Sequence, residues 1–133
     1  MIIADTNIIA YLALPSPYTE LAEKLLLQEP DWSVPALWRS ELRNVLALYL
    51  RKSLINFDEA LAIQTEMEAM FHDREYNVSS LDVLLLITQS SCSAYDCEFV
   101  ALAKSFGCKL VTMDKKLAQA FPDMTILLTD WAF

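Results

Sequence analysis

One glycine, Gly107, among 133 residues limits this chain more than any other feature of its sequence. Loops that cradle phosphate need several glycines, because only a residue without a Cβ lets backbone approach the ligand that closely. P-loop nucleotide binding and dinucleotide binding of the Rossmann type are therefore excluded. Three cysteines (Cys92, Cys97, Cys108) and one histidine (His72) cannot supply a Cys/His zinc set of the usual spacing. An odd, sparse cysteine count is also no disulfide framework, so a reduced, cytoplasmic chain is expected. The length suits a single domain, residues 1–133, and 55 % hydrophobic residues can fill its core. The opening Met1-Ile2-Ile3-Ala4-Asp5 lacks the basic start of a signal peptide and meets a carboxylate early. No apolar run approaches the length of a membrane span.

Short apolar runs alternate with helical patterns along the chain. Ile2 to Ala4 reads as a strand, Asp5 to Asn7 as a turn, and Ile8 to Leu14 as a helix closed by Pro15-Ser16-Pro17. A second helix follows from Tyr18 to Gln28. Trp32 to Val34 reads as a strand, and Pro35 opens a long helix from about Ala36 to Arg51. Asn56 and Glu59 form a capping-box pattern for a helix reaching about His72, so these two helices make a hairpin. Tyr76 to Ser79 is a weaker strand, followed by a very apolar helix from Leu81 to about Ser90. Ser93 caps a helix from Ala94 to Phe106 that Gly107 stops, and Lys109 to Thr112 is a strand. Asp114 opens a short helix to Phe121, and Thr125 to Leu128 is the last strand. This alternation predicts an α/β fold: a central parallel sheet sandwiched between helices.

Most acidic residues on such a chain coat its surface, so the informative ones stand where solvation does not explain them. Asp5 and Asp114 follow the carboxyl ends of two strands, the edge at which open α/β sheets gather ligands. Either could equally cap the helix behind it. On a helical wheel with Tyr95 at zero, Phe99, Val100, Leu102, Ala103 and Phe106 fill an arc of about 160°, and Asp96 lies inside it. A bare carboxylate there is costly unless paired or metal-bound, although Ser93-x-x-Asp96 also fits a capping box. Glu98 falls on the polar side and reads as solvated. Glu41 lies about 60° off the apolar stripe of Trp38, Leu42, Val45 and Tyr49, and alone reads as an ordinary boundary glutamate. Together these four acids suggest one acidic pocket. Clustered carboxylates repel one another, which a hard divalent cation such as Mg²⁺ or Mn²⁺ relieves.

The chain resembles PIN-domain proteins, and specifically the VapC-type toxin ribonucleases of bacterial toxin–antitoxin pairs. The resemblance spans nearly the whole sequence. It rests on Ile3-Ala4-Asp5-Thr6-Asn7, Ser40-Glu41-Leu42-Arg43-Asn44, Ser93-Ala94-Tyr95-Asp96-Cys97-Glu98-Phe99-Val100-Ala101-Leu102-Ala103 and Leu110-Val111-Thr112-Met113-Asp114. It implies an α/β/α sandwich in which Asp5, Glu41, Asp96 and Asp114 hold Mg²⁺ or Mn²⁺ and carry catalysis, with Thr6, Asn7 and Thr112 as polar support. It also implies an RNA substrate, homodimers and a cognate antitoxin.

Ten basic against 18 acidic residues give a net charge of −8, which normally argues against binding phosphate. Arg39 and Arg43 beside Glu41, and Lys115 and Lys116 after Asp114, offer a local basic rim. The expected reaction is metal-assisted phosphodiester hydrolysis. His72, beside Asp73 and Arg74, reads as solvated. An antitoxin would silence such a pocket by inserting an Arg or Lys, so a basic docking segment is expected of it. The hairpin from Ala36 to His72 offers apolar surface for partners. Two other readings remain. A Mg²⁺-dependent phosphatase fits poorly, because Asn7 stands where an Asp-x-Asp nucleophile motif needs its second acid. A PIN-like binding module with an idle pocket is the other.

Overall fold

A computed structural model describes all residues from Met1 to Phe133. The first strand, β1 (Ile2–Ala4), leads directly into α1 (Thr6–Ala13), and α2 (Thr19–Gln28) follows. Next come β2 (Trp32–Pro35), the hairpin of α3 (Trp38–Arg51) and α4 (Phe57–Met70), and β3 (Glu75–Tyr76). The chain continues through α5 (Ser80–Thr88), α6 (Ala94–Phe106), β4 (Leu110–Thr112), α7 (Lys115–Ala120) and β5 (Thr125–Leu127). A 3₁₀ turn, Leu128–Asp130, ends the ordered elements. No helix is long and apolar enough to cross a membrane.

All five strands are parallel, in the order β3-β2-β1-β4-β5. The α/β class with a central parallel sheet is as the sequence predicts. Every residue of β1, β2 and β4 is buried, as strands covered on both faces must be. On one side α6 packs on β1, β2 and β4 with α5 behind it; α1 packs on β4 and gathers α2, α3 and α4. The chain builds outward from β1 to β2 and β3, then returns to place β4 on the other side of β1. That reversal makes the carboxyl ends of β1 and β4 the switch point of the sheet, where a crevice opens between diverging connections.

Three local expectations are corrected. No turn separates β1 from α1, because Asp5 itself is the N-cap and Thr6 is already helical. Pro35 ends β2 in register with Tyr76 instead of opening α3, which starts at Trp38. The Ala36 N–H donates to the Tyr76 carbonyl, so the parallel ladder holds the chain extended past the proline. The weak strand predicted over Tyr76 to Ser79 is instead Glu75–Tyr76, and Ser79 caps α5. An edge strand of two residues has no period to read.

Candidate active site

At the switch point a cleft of about 460 Å³ opens, and Asp5, Glu41, Asp96 and Asp114 all line it. Asp5 is delivered by β1, Asp114 by β4, Glu41 by the first turn of α3 and Asp96 by the first turn of α6. Four separate segments thus bring one acid each to one place.

Asp5 is the fixed point. Its Oδ1 accepts the Thr6 N–H at 2.8 Å and its Oδ2 accepts the Thr112 hydroxyl at 2.7 Å. Capping and pocket lining are therefore both true of this residue. Thr112 is a hub, since the same oxygen accepts the Asp114 N–H at 3.0 Å and the Asn7 side-chain amide at 3.5 Å. Thr6 donates its hydroxyl to Glu41 Oε1 at 2.7 Å, tying the start of α1 to α3. Asp114 caps α7 by accepting the Leu117 N–H at 3.1 Å. Ser93 Oγ accepts the Asp96 N–H at 3.1 Å, but the Asp96 carboxylate accepts no return bond from the Ser93 N–H. The capping box is half made and the Asp96 carboxylate is left facing the cleft.

The electrostatics follow from burial and crowding. Burial pushes the Asp5 carboxyl up to about 7, against its bonds from Thr112 and Thr6 and with the help of the Glu41 and Asp96 charges. Burial likewise raises Glu41, opposed by the Thr6 hydroxyl and reinforced by Asp96 and Glu98. Asp96 is raised by burial first and by Asp114 second, with Ser93 and Lys116 opposing. Each acid feels its neighbours, although no three acidic side chains gather tightly enough to encircle an ion as they stand. The donor set nevertheless fits a hard divalent cation. It consists of oxygen alone, Asp5 is held rigidly in a buried position, and the buried Oδ1 of Asn7, in the same cleft, finds no hydrogen-bond partner in the protein.

The basic rim is not as the sequence suggests. Arg39 turns away from the cleft: its guanidinium grips Glu75 through two bonds of 2.6 and 2.7 Å and reaches Glu68 at 2.8 Å. Arg43 lies 3.9 Å from Glu68. Both arginines thereby tie α3 to α4 or β3. Lys115 and Lys116 are exposed at the start of α7, and Lys116 is near enough to lower Asp96. None of the four lines the cleft.

The α6 wheel also needs correcting. Tyr95, which lies within the arc read as apolar, is 62 % exposed, whereas Cys97 and Ala101 on the other side are buried. Helix α6 is packed between α5 and the sheet, so apolar residues surround it and a single stripe does not exist. Glu98 is half-buried, not solvated, and burial raises its carboxyl. Sequence reasoning assigned no role to Ser40, Asn44 or Tyr95, which also line the cleft. Ser40 and Asn44, four apart and flanking Glu41 on α3, share a helix face that the spacing alone could have revealed.

Residues 2–121 match the family model described as PIN domain. The chain belongs to the PIN-domain family. It is 31 % identical over 124 residues to Ribonuclease VapC3 of Pyrobaculum aerophilum, covering 91 % of this chain and 95 % of that protein. Among solved structures, FitAcB from Neisseria gonorrhoeae superposes with a TM-score of 0.78 at 20 % identity, covering 98 % of this chain and all of the other. PAE2754 from Pyrobaculum aerophilum gives 0.76 at 20 % identity, with 96 % and 83 % covered. FitAB bound to an IR36 DNA fragment gives 0.75 at 21 %, with 100 % and 99 % covered. These three share the PIN fold with this chain.

Proposed function

We propose that this PIN domain is an endoribonuclease, the toxin of a toxin–antitoxin pair, hydrolysing RNA phosphodiester bonds with Mg²⁺ or Mn²⁺ held by Asp5, Glu41, Asp96 and Asp114. The observation that carries the reading is the convergence of those carboxylates on one cleft at the switch point of the sheet. Likeness to a ribonuclease over nearly the whole chain supports it.

A divalent ion, held by Asp5, Glu41, Asp96 and Asp114, would supply Lewis acidity towards water and phosphate. The protein supplies position. Asp5, held by Thr6 and Thr112, and Glu41, held by Thr6, are fixed before substrate arrives. Asp96, from α6, and Asp114, from the end of β4, would complete the ligand set. Ser40 and Asn44 present side-chain donors to the sugar–phosphate chain, and Lys116 stands where it attracts a phosphate.

An antitoxin with a basic docking segment and a second copy of the chain are the proposed partners, in a cytoplasmic setting. The α3–α4 hairpin exposes Leu54, Phe57 and Leu61 as apolar surface for them.

The test is incubation of the purified protein with single-stranded RNA and Mg²⁺ or Mn²⁺. Cleavage is expected with either ion, is abolished by EDTA, and falls at least about 100-fold in Asp5→Asn, Asp96→Asn and Asp114→Asn while circular dichroism stays unchanged. Cleavage that survives EDTA, or an Asp96→Asn variant as active as wild type, would overturn the reading.

A further inference from the structure

A second cavity, of about 270 Å³, lies between α5 and α6 beside the acidic cleft. Its walls are apolar, chiefly Val83, Leu84 and Ile87, and Ser80 and Glu98 contribute the polar groups. Tyr95 lines both this cavity and the acidic cleft, so the two are one continuous surface with an exposed aromatic ring at the join. Glu98 is half-buried, and no hydrogen bond or ion pair within the protein engages its carboxylate. A half-buried carboxylate at an apolar recess, engaged by nothing in the protein and still open to solvent, can accept from a donor that enters the cavity.

We propose that this cavity is a nucleobase subsite selective for guanine, taking the base next to the scissile phosphate. The inference rests on the reading of the neighbouring cleft as an RNA-cleaving centre. RNA enzymes that act on single strands splay bases out, stack them on aromatic side chains and read their Watson–Crick edges. Tyr95 supplies the stacking face, and the apolar wall receives the ring. Guanine alone carries two adjacent N–H donors, N1–H and N2–H, on that edge, matching the two oxygens of one carboxylate. The Ser80 hydroxyl can donate to the adjoining O6. Adenine and cytosine set a ring-nitrogen lone pair beside their amino group, and uracil flanks its single N–H with two carbonyls, so each meets Glu98 with at least one repulsion. The volume is below the usual small-molecule range of roughly 300–1,000 Å³, which suits one planar group and no more.

The test titrates GMP, AMP, CMP and UMP separately into the ¹⁵N-labelled protein. GMP should shift the amides of Ser80, Ala94, Tyr95 and Glu98 and bind at least tenfold more tightly than the others. Glu98→Gln should erase that preference, weakening GMP about tenfold and, with the repulsion gone, tightening AMP rather than weakening it. Tyr95→Leu should weaken all four, and Tyr95→Phe should not. With oligoribonucleotides, cleavage beside G should fall about tenfold in Glu98→Gln relative to cleavage at other sites. Equal binding of all four nucleotides overturns the proposal, as does an unchanged preference in Glu98→Gln. A GMP preference without any effect on the cleavage pattern also overturns it, pointing to a free nucleotide as ligand. So does a second copy of the chain seated on α5 that leaves these amides unmoved by any nucleotide. A wild type that cuts no RNA yet still prefers GMP sinks the nuclease reading and leaves the base site; metal-dependent cleavage without base preference does the reverse.

Discussion

Asp5 is a carboxylate that the folded chain tolerates poorly when charged. The unfolded chain ionises it near 3.8, whereas burial holds it up to about 7 in the fold. Between those values the folded state binds more protons, so this group's contribution to stability is complete below pH 3.8 and is lost as pH rises towards 7. Each unit of that separation is worth about 1.4 kcal/mol. Asp5→Asn is therefore expected to stabilise the metal-free protein at pH 8 by a few kcal/mol, with the advantage shrinking towards pH 4; urea titrations across that range measure it. An advantage independent of pH would refute the account. Added Mg²⁺ or Mn²⁺ should reverse the order, raising the melting temperature of wild type and not of Asp5→Asn. Thr112→Val should destabilise by about 1–3 kcal/mol, because it strands the Asp5 carboxylate and the Asp114 N–H together. It should also raise the Asp5 carboxyl further, visible by NMR titration of the carboxyl carbon. Sequence could find Asp5 and Asp114 because strand ends are legible; it could not choose between cap and pocket because the structure uses both.

Helix α6 shows where element boundaries were readable and faces were not. Gly107 adopts φ 63°, the Cys108 N–H returns to the Ala103 carbonyl and the Gly107 N–H to that of Lys104, a Schellman stop. A Cβ added there would touch nothing within 4 Å, so Gly107→Ala tests backbone strain alone and should cost about 1 kcal/mol in urea denaturation, with Gly107→Asn costing less. The stop was legible because it depends on one residue's conformational freedom. The buried face of α6 was not, because a helix enclosed by α5 and the sheet has no single apolar stripe. The same blindness to tertiary context placed Arg39 at a substrate rim. Its real partners, Glu68 and Glu75, lie 29 and 36 residues away. Arg39→Ala should lower the melting temperature through lost anchoring of α3 while leaving RNA affinity and its salt dependence unchanged. A salt slope that became shallower would return Arg39 to the substrate.

At the scale of the whole molecule, the strand order makes the site and the charge sets how it is reached. Alternating patterns predicted the parallel sheet, but only the pairing of β1 with both β2 and β4 places the switch point between Asp5 and Asp114. No local pattern encodes that order. A net charge of −8 remains on a protein proposed to bind a polyanion, and two of its ten basic side chains, Arg39 and Arg43, are turned to Glu68 and Glu75. Lys115 and Lys116 are the cations left beside the cleft. Two phosphate contacts to single-stranded RNA release few counterions, so a plot of log affinity against log salt should slope no more steeply than about −1.4. Affinity would then come from the metal and from base contacts, and Lys116→Ala should weaken binding and reduce the slope by about 0.7. A basic antitoxin segment meets the opposite condition. Its association with the acidic cleft should be fast at low ionic strength and slow steeply as salt is added. Stopped-flow measurements of both partners across one salt series decide the matter: a steep dependence for RNA and a flat one for the antitoxin would mean that the field of this molecule does not govern its encounters.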